Sequence, residues 1–428
     1  MRRPVAALAA RARGGARRVF RSLAVPNYRF YFMGQAVSVV GTWMQRVAQD
    51  WLVLDLSDSA VALGISTALQ FLPMLLFGLW GGVLVDRLDR RRTIMATQAV
   101  SAVLAAVLAT AVLTGVAQLW MVYVLALCLG LVTVLDVPAR QAFVTEIVGP
   151  EDYVNAQSLN STVNNAGRLV GPAVAGVLLA VVDVGVAFGL NAVSFAAVLF
   201  GLARMDTAAL RRVPRAARAS GGAREGLRYV WERPELRVCM LLVAVVALVG
   251  QNFRVVLPVL ARDTLGGGPE VYGWLTSALG VGAVLGGLAS AGRREVTSWS
   301  LLRWTWIFGG VNAVAVFVPG LALTLGMMVT LGIANISFNT LARTMLQIGT
   351  EPAMQGRVIA LHSLVFLGST PIGGPLTGWL CERWGAGAGL LLAGVSAGAA
   401  ALAVTPVLRR SRLAARAAAG ARTPVQDV

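Results

Sequence analysis

Charged side chains inside long apolar runs are the residues of this 428-residue chain best suited to chemistry. Arg46 and Asp50 lie four residues apart in one such run, so a helix would place them on one face. Asp136 and Arg140 repeat this spacing, in reverse order, in another run. Burial favours the neutral form of a carboxylic acid and a nearby cation favours its charged form. Proton binding by such a pair can therefore depend on conformation.

Asp50 or Asp136 is hypothesised to bind and release a proton, with Arg46, Arg140 or Arg168 sensing the charge of the carboxylate. A permanent ion pair that only satisfies buried charge is the competing interpretation. The permanent ion pair is favoured for Asp136 with Arg140. These two residues lie near the cytoplasmic end of the membrane span predicted below, and that position suggests a gate. For Asp50 neither interpretation is favoured over the other.

The elements that hold these residues are predicted from hydropathy. Hydrophobic residues make up 57% of the chain and mean hydropathy is +0.71. Twelve apolar runs approach or exceed the roughly 20 residues that a helix needs to cross a bilayer. We predict an all-α membrane protein with twelve transmembrane helices in two six-helix bundles. The predicted spans are 29–54, 60–85, 93–115, 118–141, 156–182, 184–204, 238–261, 270–291, 301–319, 321–345, 358–380 and 385–407.

Positive charge falls on one side of this pattern. Arginine supplies all 37 basic residues against 20 acidic ones, for a formal net charge of +17. Arginines collect in alternate loops and both tails, which predicts cytoplasmic termini and anionic lipid headgroups, not nucleic acid, as partners. The predicted domains are a basic cytoplasmic tail (1–27), an N-terminal six-helix bundle (28–204), a cytoplasmic linker (205–237), a C-terminal six-helix bundle (238–408) and a disordered cytoplasmic tail (409–428).

A charged loop joins the second and third spans. Gly82 is expected to allow close helix packing, and Asp86 to pair with an arginine or a helix N-terminus in one conformation only. A charge cluster that merely sets topology is the alternative. The loop resembles the signature of the major facilitator superfamily, G-x-L-x-D-R-x-G-R-R, with Asp89 where that pattern has Gly. The candidate gating-loop residues are Gly82, Asp86, Arg87, Arg90 and Arg91.

Small residues recur in the fifth span, where they let two helices approach closely while a proline bends the span. The pattern is similar to the antiporter motif of superfamily exporters, G-x-x-x-G-P-x-x-G-G, with Ala175 in place of one Gly. Ordinary small-residue packing is the alternative. The motif residues are Gly167, Gly171, Pro172 and Gly176.

Further segments, at 41–45, 56–64 and 135–140, resemble the transmembrane secretion effector branch, which includes enterobactin exporters and macrolide efflux proteins. The resemblance covers about residues 25–380. It implies the two-bundle fold, alternating access and proton-driven export across a bacterial cytoplasmic membrane. It also implies that spans one, four, seven and ten line the substrate cavity. The cavity candidates are Trp43, Gln45, Gln251, Asn252, Arg254, Asn335 and Asn339. The cytoplasmic gate candidates are Asp136, Arg140 and Arg343.

The preferred function is secondary export of a drug, siderophore or secondary metabolite by a monomer, with protons as the coupling ion. An importer or uniporter of the same fold and a lipid-translocating protein remain alternatives, and a receptor is disfavoured because it has no use for buried charges. One histidine and three cysteines form no catalytic or metal-binding pattern. No enzyme activity, metal or cofactor is therefore predicted, and the chain has no phosphate-binding Gly-rich loop.

Overall fold

The computed structural model describes residues 20–211, 223–291 and 296–420, and every regular element in these ranges is helical. Most of the predicted basic tail (1–19), the linker arginines Arg212, Arg215 and Arg218, and the last residues (421–428) lie outside the described residues. The α-helices are α1 (Pro26–Ser57), α2 (Ala60–Val85), α3 (Arg90–Leu113), α4 (Leu119–Val148), α5 (Tyr153–Val181), α6 (Val184–Ala203), α7 (Ala223–Glu232), α8 (Pro234–Val245), α9 (Phe253–Val259), α10 (Pro269–Ala291), α11 (Ser298–Ala315), α12 (Leu321–Ile348), α13 (Pro352–Gly368), α14 (Thr370–Trp384) and α15 (Ala386–Gly420).

Nine helical stretches of the described chain are long and apolar enough to cross a membrane. The other three predicted spans coincide with α1, α5 and α11. In these helices arginine, asparagine or glutamine interrupts the apolar run, which lowers its mean hydropathy. Three of the polar candidates, Gln45, Arg46 and Asp50, lie in α1.

Contacts group the described residues into two compact units. One unit contains 20–52 and 72–211, and the other contains 53–71 with the chain from 223 onward. The start of α2 therefore groups with the second unit, although it precedes the linker in sequence. The predicted domain boundaries follow the order of the chain and stay predictions.

In the first unit, α3 packs along α6 and α4. Helix α2 approaches α4 closely, because a Cβ at Gly81 would lie 2.5 Å from the Val134 carbonyl oxygen. Nearer the C-terminal end of α4, an edge-to-face contact joins Tyr31 and Phe143 with their ring centroids 6.0 Å apart. These contacts fix α4, which carries the predicted gate pair.

In the second unit, α11 packs along α15 and α10 packs along α12. The pairing of α11 with α15 repeats that of α3 with α6, as a duplicated six-helix pattern requires. Gly282 and Gly332 bring α10 and α12 to backbone contact: a Cβ on Gly332 would lie 2.9 Å from the Ala283 nitrogen.

The seventh predicted span (238–261) is interrupted. Helix α8 passes into a π-helical segment (Val246–Gly250), and a second π-helical segment (Leu260–Thr264) follows α9. Between them the helix is broken at Gln251 and Asn252. Hydropathy averaged over a window detects the length of this span but not its winding.

The linker and the C-terminal tail contain helix. Helix α7 exposes Leu227 and Trp231, at 47% and 56%, while Glu225 on another part of its surface forms an ion pair with Arg357 at 2.8 Å. Helix α7 is therefore amphipathic. Helix α15 continues through Gly420, so the tail predicted to be disordered begins as a helix, which its alanine-rich composition favours.

Candidate functional site

Asp136 and Arg140 form an ion pair on α4, with Arg140 Nε 2.6 Å from Asp136 Oδ2 and about 15% of each side chain exposed. Asp136 Oδ1 also accepts hydrogen bonds from Thr97 Oγ1 (2.7 Å) and Gln98 Nε2 (3.0 Å). Arg140 donates to Gln35 on α1. The carboxylate thus has three donors, and the pair joins α1, α3 and α4.

Helix α5 crosses α1 at the glycines of the small-residue motif. A Cβ on Gly171 would lie 2.5 Å from Trp43 Cβ and 2.9 Å from the Val40 carbonyl oxygen. At Gly167 it would collide with the Val39 side chain. Only glycine fits this approach. Pro172 and Gly176 are buried in the same helix.

The indole of Trp43 lies between two guanidinium groups at this crossing. Arg46 Cζ is 4.4 Å from the ring centroid and Arg168 Cζ is 5.3 Å from it, both within cation–π range. Asp50, one turn beyond Arg46 on α1, is 1% exposed. The structure therefore brings Trp43, Arg46 and Arg168 together.

Amide side chains form a chain of hydrogen bonds in the second unit. Gln251 Nε2 donates to Asn339 Oδ1 at 3.2 Å, and Asn339 Nδ2 donates to the Asn335 carbonyl oxygen at 3.0 Å. Arg254 Nη1 donates to Gln70 Oε1 at 2.7 Å. Three cavity candidates, Gln251, Asn335 and Asn339, are thus neighbours at the break in the seventh span.

Other cavity and gate candidates lie apart from these groups. Gln45 is buried and accepts a hydrogen bond from Asn191 on α6. Asn252 is also buried, and its Nδ2 donates to Thr377 Oγ1 at 3.0 Å. Arg343 is exposed on α12.

The loop between α2 and α3 differs from the sequence interpretation at Gly82. Apart from its own helix, no described residue has an atom within 4 Å of a Cβ placed on Gly82, so the close packing expected there belongs to Gly81. Adjacent residues on a helix point about 100° apart, and only one of the two glycines can face α4. Asp86 and Arg87 are exposed, and Asp86 forms no ion pair with the part of the chain that the structure describes.

The remaining loop residues hold the start of α3. Asp89 accepts a hydrogen bond from the Arg92 backbone N–H at 2.8 Å and so caps the helix, which explains an acid where the superfamily pattern has Gly. Arg90 pairs with Glu146 at 2.6 Å, and Arg91 donates to the Leu202 carbonyl oxygen.

Within the second unit, polar contacts also fasten the turn that precedes α2. Glu382 accepts hydrogen bonds from Ser59 Oγ and from the Val61 backbone N–H, so it caps α2 from a distant part of the chain. Arg262 pairs with Asp58 at 2.8 Å, and Asp58 has a left-handed backbone with φ of 50°. Sequence reasoning missed these residues because each lies in a short loop or at a helix end.

Sequence reasoning also missed the partners of the ion pair on α4, which are Thr97, Gln98 and Gln35. Their signal in the sequence is a neutral polar side chain inside an apolar run. Treating every such side chain as a partner for the nearest buried charge would have indicated them.

Comparison with known proteins agrees with this architecture. The profile of the family described as transmembrane secretion effector matches residues 19–426. The multidrug efflux pump Tap of Mycolicibacterium fortuitum is 29% identical over 366 residues, which are 81% of this chain and 87% of that protein. The enterobactin exporter EntS of Shigella boydii is 26% identical over 379 residues, which are 86% and 90%.

Two solved structures show the same fold. A bacterial homologue of the human lysosomal transporter Spinster, inward-facing and occupied, has a TM-score of 0.71 at 15% identity and covers 91% of this chain and 97% of its own. The nucleoside transporter NupG has a TM-score of 0.71 at 12% identity, covering 91% and 99%. Because the family profile spans nearly the whole sequence, this chain belongs to the transmembrane secretion effector family of major facilitator membrane transporters.

Proposed function

We propose that the protein is a secondary active exporter of small amphiphilic molecules that works by alternating access and exchanges its cargo for protons. The family match over 19–426, with relatives named for multidrug and enterobactin export, carries this proposal. Charged and amide side chains in α1, α4 and α5 support it, because polar groups are kept in membrane spans mainly where they serve transport.

The proposal includes a topology. Twelve transmembrane helices form two six-helix bundles, and both termini are cytoplasmic, in a bacterial cytoplasmic membrane. The bundles comprise 28–204 and 238–408, joined by the linker 205–237, and the protein acts as a monomer. The arginine bias of the loops supports this orientation and a contact with anionic lipid headgroups.

Asp50 is the proposed proton carrier, and Asp136 belongs to the gate. Asp136 already accepts from Arg140, Thr97 and Gln98, so its charged form is held in place by three donors. In the proposed gate Asp136 acts together with Arg140, and the loop residues Asp89, Arg90 and Arg91 hold the start of α3.

Inside-out vesicles with an imposed pH gradient test the proposed function. With an acidic lumen, we expect carboxyfluorescein or ethidium to accumulate inside, and the accumulation to collapse when a protonophore is added. Movement of these dyes out of the vesicles would indicate an importer, and movement that ignores the gradient would indicate a uniporter. Flipping of fluorescent phospholipid without movement of either dye would indicate lipid translocation.

Ser59 belongs to the proposed bundle 28–204 and Glu382 to the proposed bundle 238–408, so their contact is expected to open and close during transport. Replacing both residues by cysteine, in a chain without the native cysteines, should allow a disulfide that slows export at least about tenfold, because a cross-linked contact cannot open. Export is measured in the same vesicles before and after oxidation. The native cysteines to be replaced by alanine are Cys128, Cys239 and Cys381.

A matched cross-link lies inside the first unit, where Asn27 Nδ2 donates to the Asp206 carbonyl oxygen at 2.8 Å. A disulfide between cysteines at these two positions should leave the rate of export near that of the reduced protein. Full export by the oxidised Ser59→Cys, Glu382→Cys protein would mean that the contact stays closed throughout the cycle. A reductant should restore any lost rate.

A further inference from the structure

A polar stripe runs along one face of α5. Ser161, Asn164, Asn165 and Arg168 follow the spacing i, i+3, i+4, i+7, and all four are exposed. Helix α5 coincides with a predicted membrane span, where polar groups that face acyl chains would lack hydrogen-bond partners. We therefore expect the stripe to face water and not acyl chains.

No carboxylate among the described residues forms an ion pair with Arg168. Its guanidinium contacts the ring of Trp43 instead. Two other arginines of the first unit differ in this respect: Arg90 pairs with Glu146 and Arg140 with Asp136. A cation held in a membrane span is stabilised when a negative group reaches it.

The surroundings of Arg168 suit one kind of negative group. A guanidinium presents two parallel N–H donors that match the two oxygens of a carboxylate. The amide of Asn165, one turn away on the same face, supplies a further donor. The indole of Trp43 offers an apolar plane beside the charge, and Gly167 and Gly171 fix the distance of that plane from α5.

We infer that Arg168, Asn165 and Trp43 form a binding site for the carboxylate end of the cargo. The cargo is then an organic anion, with its carboxylate on Arg168 and its apolar part against the indole. The statement that the ligand is the cargo rests on the proposed export function. Binding at the site itself can be measured without transport.

Two dyes built on the same xanthene ring test the inference. Carboxyfluorescein is an anion with free carboxylates, and tetramethylrhodamine methyl ester is a cation. In fluorescence-anisotropy titrations of the purified protein in detergent, we expect the anion to bind more tightly. Arg168→Gln should weaken the anion about tenfold or more and leave the cation unchanged, since a charge-assisted hydrogen bond is lost. Arg168→Lys should retain part of the affinity because the charge stays.

Arg204→Gln is the matched control. It removes one positive charge from the same unit and one cation–π contact, with Phe200 at 4.8 Å, away from the stripe. This variant should bind both dyes as the wild type does. A competition experiment needs no variant: benzoate should displace carboxyfluorescein, and benzylamine at the same concentration should not.

Equal binding of the two dyes by the wild type, equal losses for both in Arg168→Gln, or displacement by benzylamine would overturn the inference. The Arg168→Gln protein could still export ethidium with the proton gradient, while carboxyfluorescein binding did not depend on Arg168. That result would support the proposed exporter and contradict the carboxylate site. Arg168-dependent binding of carboxyfluorescein without gradient-driven export would keep the site and remove the proposed function.

Discussion

Asparagine in place of Asp50 is expected to abolish the proton-driven accumulation of dye in inside-out vesicles while leaving downhill movement in place. Asparagine has nearly the same shape but binds no proton, so the substitution separates the pathway from its energy source. Each unit of pH difference supplies about 1.4 kcal/mol per proton, enough to sustain a concentration ratio of about ten. That ratio should fall to about one in the variant, as measured by dye fluorescence at steady state.

Asp55→Asn is the control, because Asp55 lies five residues further along the same helix and is exposed. It should accumulate dye as the wild type does. Accumulation by Asp50→Asn that still follows the pH gradient would show that another group carries the proton. Asp136→Asn would then be the next variant to measure, with loss of the α4 ion pair as a competing effect.

Valine in place of Gly171 is expected to remove most of the folded transporter. The first added carbon already lies 2.5 Å from Trp43 Cβ and 2.9 Å from the Val40 carbonyl oxygen, and neither atom can move without shifting α1. Overpacking of this kind usually destabilises a protein by about 1–3 kcal/mol, and backbone collision raises that figure. Monodisperse protein in detergent should fall at least about tenfold, with a lower unfolding temperature for the remainder.

Gly326→Val tests whether any added bulk on a helix has the same result. Apart from its own helix, no described residue has an atom within 4 Å of a Cβ on Gly326 in α12, so the yield and unfolding temperature should stay near those of the wild type. If Gly171→Val matched Gly326→Val in both measurements, the close crossing of α1 and α5 would not hold in solution. Gly171→Ala should fall between the two.

The sequence was informative where a local rule determines the geometry. Spacing by four predicts that Asp136 and Arg140 share a face, and the ion pair forms on one helix. Small residues in the fifth span predict a close crossing, and the glycines at 167 and 171 lie against α1. In both cases the rule depends only on residues within one helix.

The sequence was uninformative where a neighbouring helix decides. Asp136 takes Thr97 and Gln98 as partners because α3 packs beside α4, which no spacing in the chain expresses. The choice between Gly81 and Gly82 depends on how α2 is rotated toward α4. Glu382 contacts Ser59 at the start of α2, and these two residues are 323 positions apart in the chain.

The π-helical segments have a consequence for how this protein can change in evolution. A π turn contains one residue more than the α turn it replaces, so losing a single residue from Val246–Gly250 would rewind the segment as α-helix. The α turn would then cover nearly the same rotation with one residue fewer, so the residues beyond it would keep nearly their present direction. Arg254 would still face Gln70. Loss of one codon from this stretch should therefore be tolerated better than loss of one codon from a regular α-helix, where everything beyond the deletion rotates by about 100°.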